Sequence, residues 1–159
     1  MLVVIAAMAA SCAGGPDISH YAGVLDQLTI PAGWELVHTT LRAPGGGDKD
    51  VDPSRPTDTI GCSGLFGECP SIVRYYLVGG QPVDAYTAAK QVMLDAGFDA
   101  QSDSGPTCDE PSGGPICMLS GTRESDNVRL TINRPGDDPN GLVPFGDDRF
   151  LVVIKATRM

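Results

Sequence analysis

Apolar and polar positions along this chain follow two different rhythms. From Pro82 to Ala96, Tyr86, Ala89, Met93 and Ala96 recur at steps of three and four, which is the spacing of one helix face. Pro82 suits a first helical position and Asp84 places negative charge in the first turn, where the helix dipole favours it. Gly97 then supplies a left-handed residue, and Phe98 can fold back on Met93, so the sequence predicts a helix over 82–96 with a Schellman ending. From Val128 to Arg134 the rhythm is two: Val128, Leu130 and Ile132 alternate with Arg129, Thr131 and Asn133, a half-buried strand with one wet face.

The rest of the chain divides by the same test. Ile18, Tyr21, Ala22, Leu25 and Leu28 predict a short N-terminal helix within Asp17 to Leu28, although Gly23 interrupts it. Ile30-Pro31-Ala32-Gly33 reads as a turn, and Trp34 to Ala43 and Ser71 to Val78 have strand composition. Ile116 to Arg123 and Val128 to Arg134 form a hairpin across Glu124-Ser125-Asp126-Asn127. Phe150 to Thr157 is apolar on both faces at its start, as a centrally paired strand would be. Pro44 to Gly61, Asp99 to Pro115 and Pro135 to Asp148 read as long loops, consistent with 20 Gly and 13 Pro in the chain. The expectation is an α+β fold: a mostly antiparallel sheet of about five strands, one well-defined helix packed on one face, and a short N-terminal helix. A single globular domain over 18–159 accounts for all of it, and 159 residues leave room for little else.

Ahead of that domain, Leu2 to Ala10 form an uncharged apolar run, too short to span a bilayer, for which about 20 residues are needed. It has the character of a secretory h-region closed by small residues, Ala9-Ala10-Ser11, directly before Cys12. This junction resembles the lipobox of bacterial prolipoproteins, with Ala9 where that family has Leu. No Lys or Arg precedes Arg42, so the basic leader of such a signal is expected upstream of Met1. The resemblance covers the first fifteen or so residues, and implies that 1–11 is a cleaved signal peptide and Cys12 carries the lipid. Residues 12–17 would then be a lipidated Cys and a short tether, holding the domain on the extracytoplasmic face of the cell membrane. Two other readings stay open: ordinary secretion with cleavage after a small residue, or a buried apolar segment with Cys12 as a small core residue.

Setting Cys12 aside leaves Cys62, Cys69, Cys108 and Cys117, an even set that in an exported chain reads as disulfides. Three connectivities are possible. Local pairing, Cys62–Cys69 and Cys108–Cys117, is favoured because Gly or Pro inside each loop lets a short ring close. Each local bond would contribute about 2.5 kcal/mol, and a crossed bond about 4 kcal/mol, so loop entropy alone does not choose. Neither spacing is that of a structural zinc site.

Charge narrows the partners. A formal net charge of -9, spread over most loops, makes nucleic acid a poor partner, since its binding rests on Lys and Arg at phosphates. Asp48-Lys49-Asp50-Val51-Asp52 opens like a calcium loop, but Pro53 and Thr59 stand where Gly and Glu are required, so it reads as a solvated acidic loop. His20 and His38 are the two imidazoles; His38 is expected to face outward from its strand with Leu36 and Thr40. No nucleophile elbow, phosphate loop or zinc-protease motif occurs.

Neither a metal nor a cofactor is therefore expected, and no residue is singled out as catalytic. Trp34, the only Trp, with Tyr75 and Tyr76, is the candidate binding surface, because adjacent tyrosines on a strand point to opposite faces and one should be exposed. The competing reading makes Trp34 and one Tyr core anchors. The leading expectation is a membrane-tethered, non-catalytic envelope domain that binds a protein, glycan or lipid. An accessory subunit of an envelope complex, or a small hydrolase using dispersed carboxylates, are the alternatives.

Overall fold

A computed structural model describes residues 18–42, 48–50, 71–102, 116–137, 141, 146 and 148–158. In chain order its elements are α1 (Ile18–Asp26), β1 (Glu35–Arg42), β2 (Asp48–Asp50), β3 (Ser71–Gly79), α2 (Pro82–Asp95), β4 (Asp99–Ser102), β5 (Cys117–Arg123), β6 (Asp126–Ile132) and β7 (Arg149–Arg158). The strands make one sheet in the order β2-β1-β3-β7-β6-β5-β4, and every neighbouring pair is antiparallel. The fold is α+β with an antiparallel sheet, as the hydrophobic pattern implies.

The described residues hold seven strands where about five were expected. The two additions are short edge strands, β2 with three residues and β4 with four, in stretches read from sequence as loops. Their sequences, Asp48-Lys49-Asp50 and Asp99-Ala100-Gln101-Ser102, carry no apolar alternation. An edge strand is held by backbone bonds on one side and need not bury a face, so it leaves little trace in the pattern.

β7 lies at the centre of the sheet, where its apolar start requires it to be. Phe150, Val152, Ile154 and Ala156 point to one face and are at most 1% exposed, while Leu151 is fully buried on the other. On the first face they meet Leu130 and Ile132 of β6, Leu119 of β5 and Tyr76 of β3, and both helices close over them in one core. α1 covers β3 and β7, and α2 covers β4, β5 and β6. Burying side chains of this size contributes about 1.5–3 kcal/mol each. The sheet's central ladder and the two helices are therefore one cooperative body.

α2 ends as its sequence requires. Gly97 takes φ +81, the Phe98 N–H donates to Met93 O at 2.9 Å, and the Gly97 N–H donates to Leu94 O at 2.9 Å. Phe98 and Met93 then converge above Gly121 of β5. A Cβ there would lie 2.5 Å from Met93 Cε and 3.1 Å from Phe98 Cβ, so the helix sits this close only because residue 121 is glycine.

The β5–β6 hairpin is tighter than expected. Arg123 pairs with Asp126, leaving a two-residue turn of Glu124 and Ser125 in place of the four-residue loop, with Glu124 at φ 54. Asp126 consequently belongs to β6 and is buried, with 7% of its surface exposed.

Candidate functional site

The candidate surface begins where β1 leaves the turn after α1. Gly33 takes φ +95, the Trp34 N–H donates to Pro31 O at 3.2 Å, and the chain enters β1 with the Trp34 ring lying on Tyr76. The two ring centroids are 6.2 Å apart at 55°. Tyr76 is 4% exposed; burial raises its pKa, offset by the charge and the hydrogen bond of Arg74, with the nearby Asp26 carboxylate adding to the rise. Arg74 is in turn held by Asp26 at the end of α1. Trp34 therefore rests, partly buried, on a floor fixed by an ion pair between helix and sheet.

The expectation that one of the paired tyrosines is exposed is overturned. Tyr75 points to the other face, packs against His38 with ring centroids 5.8 Å apart, and is 6% exposed. Both tyrosines are buried because the sheet is covered on both sides along β3, where Val73 and Leu77 are buried as well. Of the three aromatics, Trp34 alone keeps surface; Tyr76 supports it, and Tyr75 belongs to the opposite side of the sheet.

Leu36 supplies the exposed apolar group that the tyrosines do not, at 52% exposure beside Trp34. Its position follows from a register shift between Leu36 and His38, which leaves Val37 as a bulge. Leu36 pairs with Tyr76 and His38 with Tyr75, so the two lie on opposite faces and the expected common face of Leu36, His38 and Thr40 is corrected. His38 is half-buried rather than a surface imidazole. Glu35, beside Leu36, places its carboxylate 3.6 Å from Arg149.

A second constellation joins both helices to the hairpin. His20 of α1 donates from its imidazole to Asp126 Oδ1 at 2.7 Å, and Arg123 Nη2 lies 3.9 Å from Asp126 Oδ2. Arg123 also donates from Nη1 to Ala96 O at 2.7 Å and lies 4.5 Å from the centre of the Phe98 ring. Arg123 thus places a cation at the C-terminus of α2, where the helix dipole favours one. The His20–Asp126 pair spans 106 positions of sequence, and nothing in the local pattern of either residue announces it. The geometry is that of a structural clasp: the Asp126 carboxylate on β6 is held by one group from α1 and one from β5.

Cys117, the first residue of β5, is fully buried and disulfide-bonded. It is the only cysteine among the described residues, so no disulfide has both ends there; Cys62, Cys69 and Cys108 lie outside them, as does Cys12. Asp48 to Asp50, the opening of the calcium-like sequence, form strand β2. Among the described residues no three His, Cys, Asp or Glu side chains gather as metal ligands, and no helix is long and apolar enough to cross a membrane.

No protein-family model matches this sequence, and neither a curated protein nor a solved structure matches it.

Proposed function

We propose that this chain is an exported envelope lipoprotein whose domain serves as a non-catalytic binding module. The observation that carries the proposal is the Ala9-Ala10-Ser11-Cys12 junction, followed only six positions later by the first residue of α1, Ile18. A diacylglycerol on Cys12 would leave a tether of at most about 20 Å between bilayer and domain. Acyl chains stabilise membrane attachment by about 0.8 kcal/mol per buried methylene, so several on one residue hold the protein without a transmembrane helix. Binding is favoured over catalysis because the rigid apolar group at the surface, Trp34 with Leu36, sits on a fixed floor. The His20–Asp126–Arg123 clasp spends its polar groups on holding elements together. In this reading Cys117 pairs with Cys108 and Cys62 with Cys69.

The test is expression in a bacterial host behind a restored basic leader. The wild type is expected to partition into detergent, and Cys12→Ser to move it to the aqueous phase. A wild-type protein that stays aqueous and keeps Met1 by intact-mass analysis overturns the lipoprotein reading.

A further inference from the structure

We propose that the lipid anchor seats the turn of the β5–β6 hairpin against the bilayer and presents the Trp34–Leu36 surface away from it, an orientation that rests on the lipoprotein reading above. Strand register defines the two ends of the domain. Asp126, next to the Glu124–Ser125 turn, pairs with Arg158 at the last position of β7. His20 of α1 is bonded to that same Asp126, so Ile18, two residues earlier, starts the helix at the hairpin end of the sheet. Leu36 pairs with Tyr76, and Tyr76 with Val152, toward the other end of β7. Residues 158 and 152 are about 20 Å apart at the rise of a strand.

Chain length turns these positions into an orientation. The six positions from Cys12 to Ile18 span at most about 20 Å. With the hairpin end toward the anchor, those residues keep their conformational freedom. With the Trp34 end against the bilayer, they would have to run the length of the domain back to the membrane at full extension, and chain entropy opposes that. α2 runs the opposite way to α1. It starts just beyond Gly79, which pairs with Arg149 at the far end of β7, and it ends at Ala96, whose carbonyl accepts from Arg123 of the hairpin. Among the described residues, Leu94 is therefore the large exposed apolar side chain at the bilayer end, while Leu36 and Val83 lie at the other. The bilayer meets a polar turn and one leucine, and whatever engages Trp34 and Leu36 approaches from outside the membrane.

The experiment uses the lipidated full chain, made in a bacterial host behind the restored leader and reconstituted in phosphatidylcholine vesicles that carry a quenching nitroxide on some headgroups. Trp34 is the only Trp of the wild type, and Ser125→Trp adds a second in the exposed turn. Wild-type emission is expected to be the same with and without nitroxide lipid, whereas Ser125→Trp should lose most of the emission that its second Trp adds. Leu94→Trp, at the same end, should behave as Ser125→Trp does and serves as the probe if that variant fails to fold. Quenching of Trp34 with the added Trp spared means an inverted domain and overturns the orientation. Quenching of both means a domain lying flat, and overturns it too. Neither being quenched means a domain held clear of the bilayer, which overturns the seating of the turn. A wild-type chain that does not float with the vesicles overturns the lipoprotein reading and this orientation with it, so the two failures are told apart by flotation.

Discussion

α1 and α2 lie side by side on one face of the same sheet, yet they are held there in different ways. α2 carries its instructions locally: a helix of fourteen residues with Pro82 and Asp84 at its start and the Gly97 and Phe98 turn beyond its end. α1 is nine residues long, has no acidic residue in its first turn and no basic residue in its last, and contains Gly23. An isolated helix of that length is unstable in water. It is held by what other parts of the chain bring to it: Asp126 at one end through His20, Arg74 at the other through Asp26, and the core beneath Tyr21, Val24, Leu25 and Leu28. A helix can thus be specified by its own sequence or by its seat, and the second kind depends on the whole sheet having formed.

If α1 is part of the same cooperative body, loss of its packing should destabilise everything. Leu25 is 1% exposed, and Leu25→Ala is expected to cost about 2–5 kcal/mol. Urea unfolding followed by Trp34 fluorescence and by far-ultraviolet circular dichroism should shift together. A circular-dichroism transition that stayed in place while α1 alone detached would break the comparison, making α1 a flap. On the α2 side, Gly121→Ala is expected to cost about 1–3 kcal/mol, because the new methyl meets Met93 Cε at 2.5 Å and Phe98 Cβ at 3.1 Å. Met93→Val removes the nearer obstacle, so the double variant should lose less than the sum of the two single ones. Strict additivity would mean that the Met93 tip swings aside without strain.

The same contrast explains how far the sequence could be read. Period-two and period-3.6 patterns placed β3, β5, β6, β7 and α2 within a residue or two, since those elements bury a regular face. The central position of β7 was visible because Phe150, Leu151 and Val152 leave no wet face. β2 and β4 were not visible, since polar edge strands are defined by the neighbour they bond to. Nor was the bulge at Val37, which changes which residues share a face without changing composition. The candidate site suffered most from this. Adjacent tyrosines do point to opposite faces, but whether a face is covered depends on parts of the chain far away, and both proved buried. Trp34 could be singled out as a lone Trp at a turn. The exposure of Leu36 could not, because it follows from the bulge.

The clasp at Asp126 should have a smaller effect than either core change. Asp126→Ala is expected to cost about 1–1.5 kcal/mol, the net worth of its bond to His20 with the Arg123 contact in addition. His20→Ala should cost less than that, because its side chain is 44% exposed and solvent screens the pair. A double-mutant cycle across His20 and Asp126 should show a coupling of about 0.5–1 kcal/mol. Zero coupling would leave α1 held by its apolar face and Arg74 alone, and so narrow the contrast between the helices.

The smallest effect at neutral pH, and the most specific, concerns the floor beneath Trp34. Burial raises the Tyr76 pKa, and although Arg74 lowers it in part, the net shift is upward. The sign of the linkage follows from the neutral phenol. As pH climbs past the ordinary tyrosine value, the unfolded chain loses this proton before the folded one does, so ionisation stabilises the unfolded state. The contribution of Tyr76 is therefore whole below that value and declines as pH rises from it toward the raised folded value. Tyr76→Phe keeps the ring under Trp34 and removes the titrating group, at the loss of one hydrogen bond to Arg74. Melting temperatures of wild type and variant, measured from pH 8 to pH 11, should converge at the alkaline end as the wild type loses this increment and the variant does not. Parallel curves across that range would mean that Tyr76 ionises as easily folded as unfolded, and that the Trp34 platform is wetter than its burial indicates.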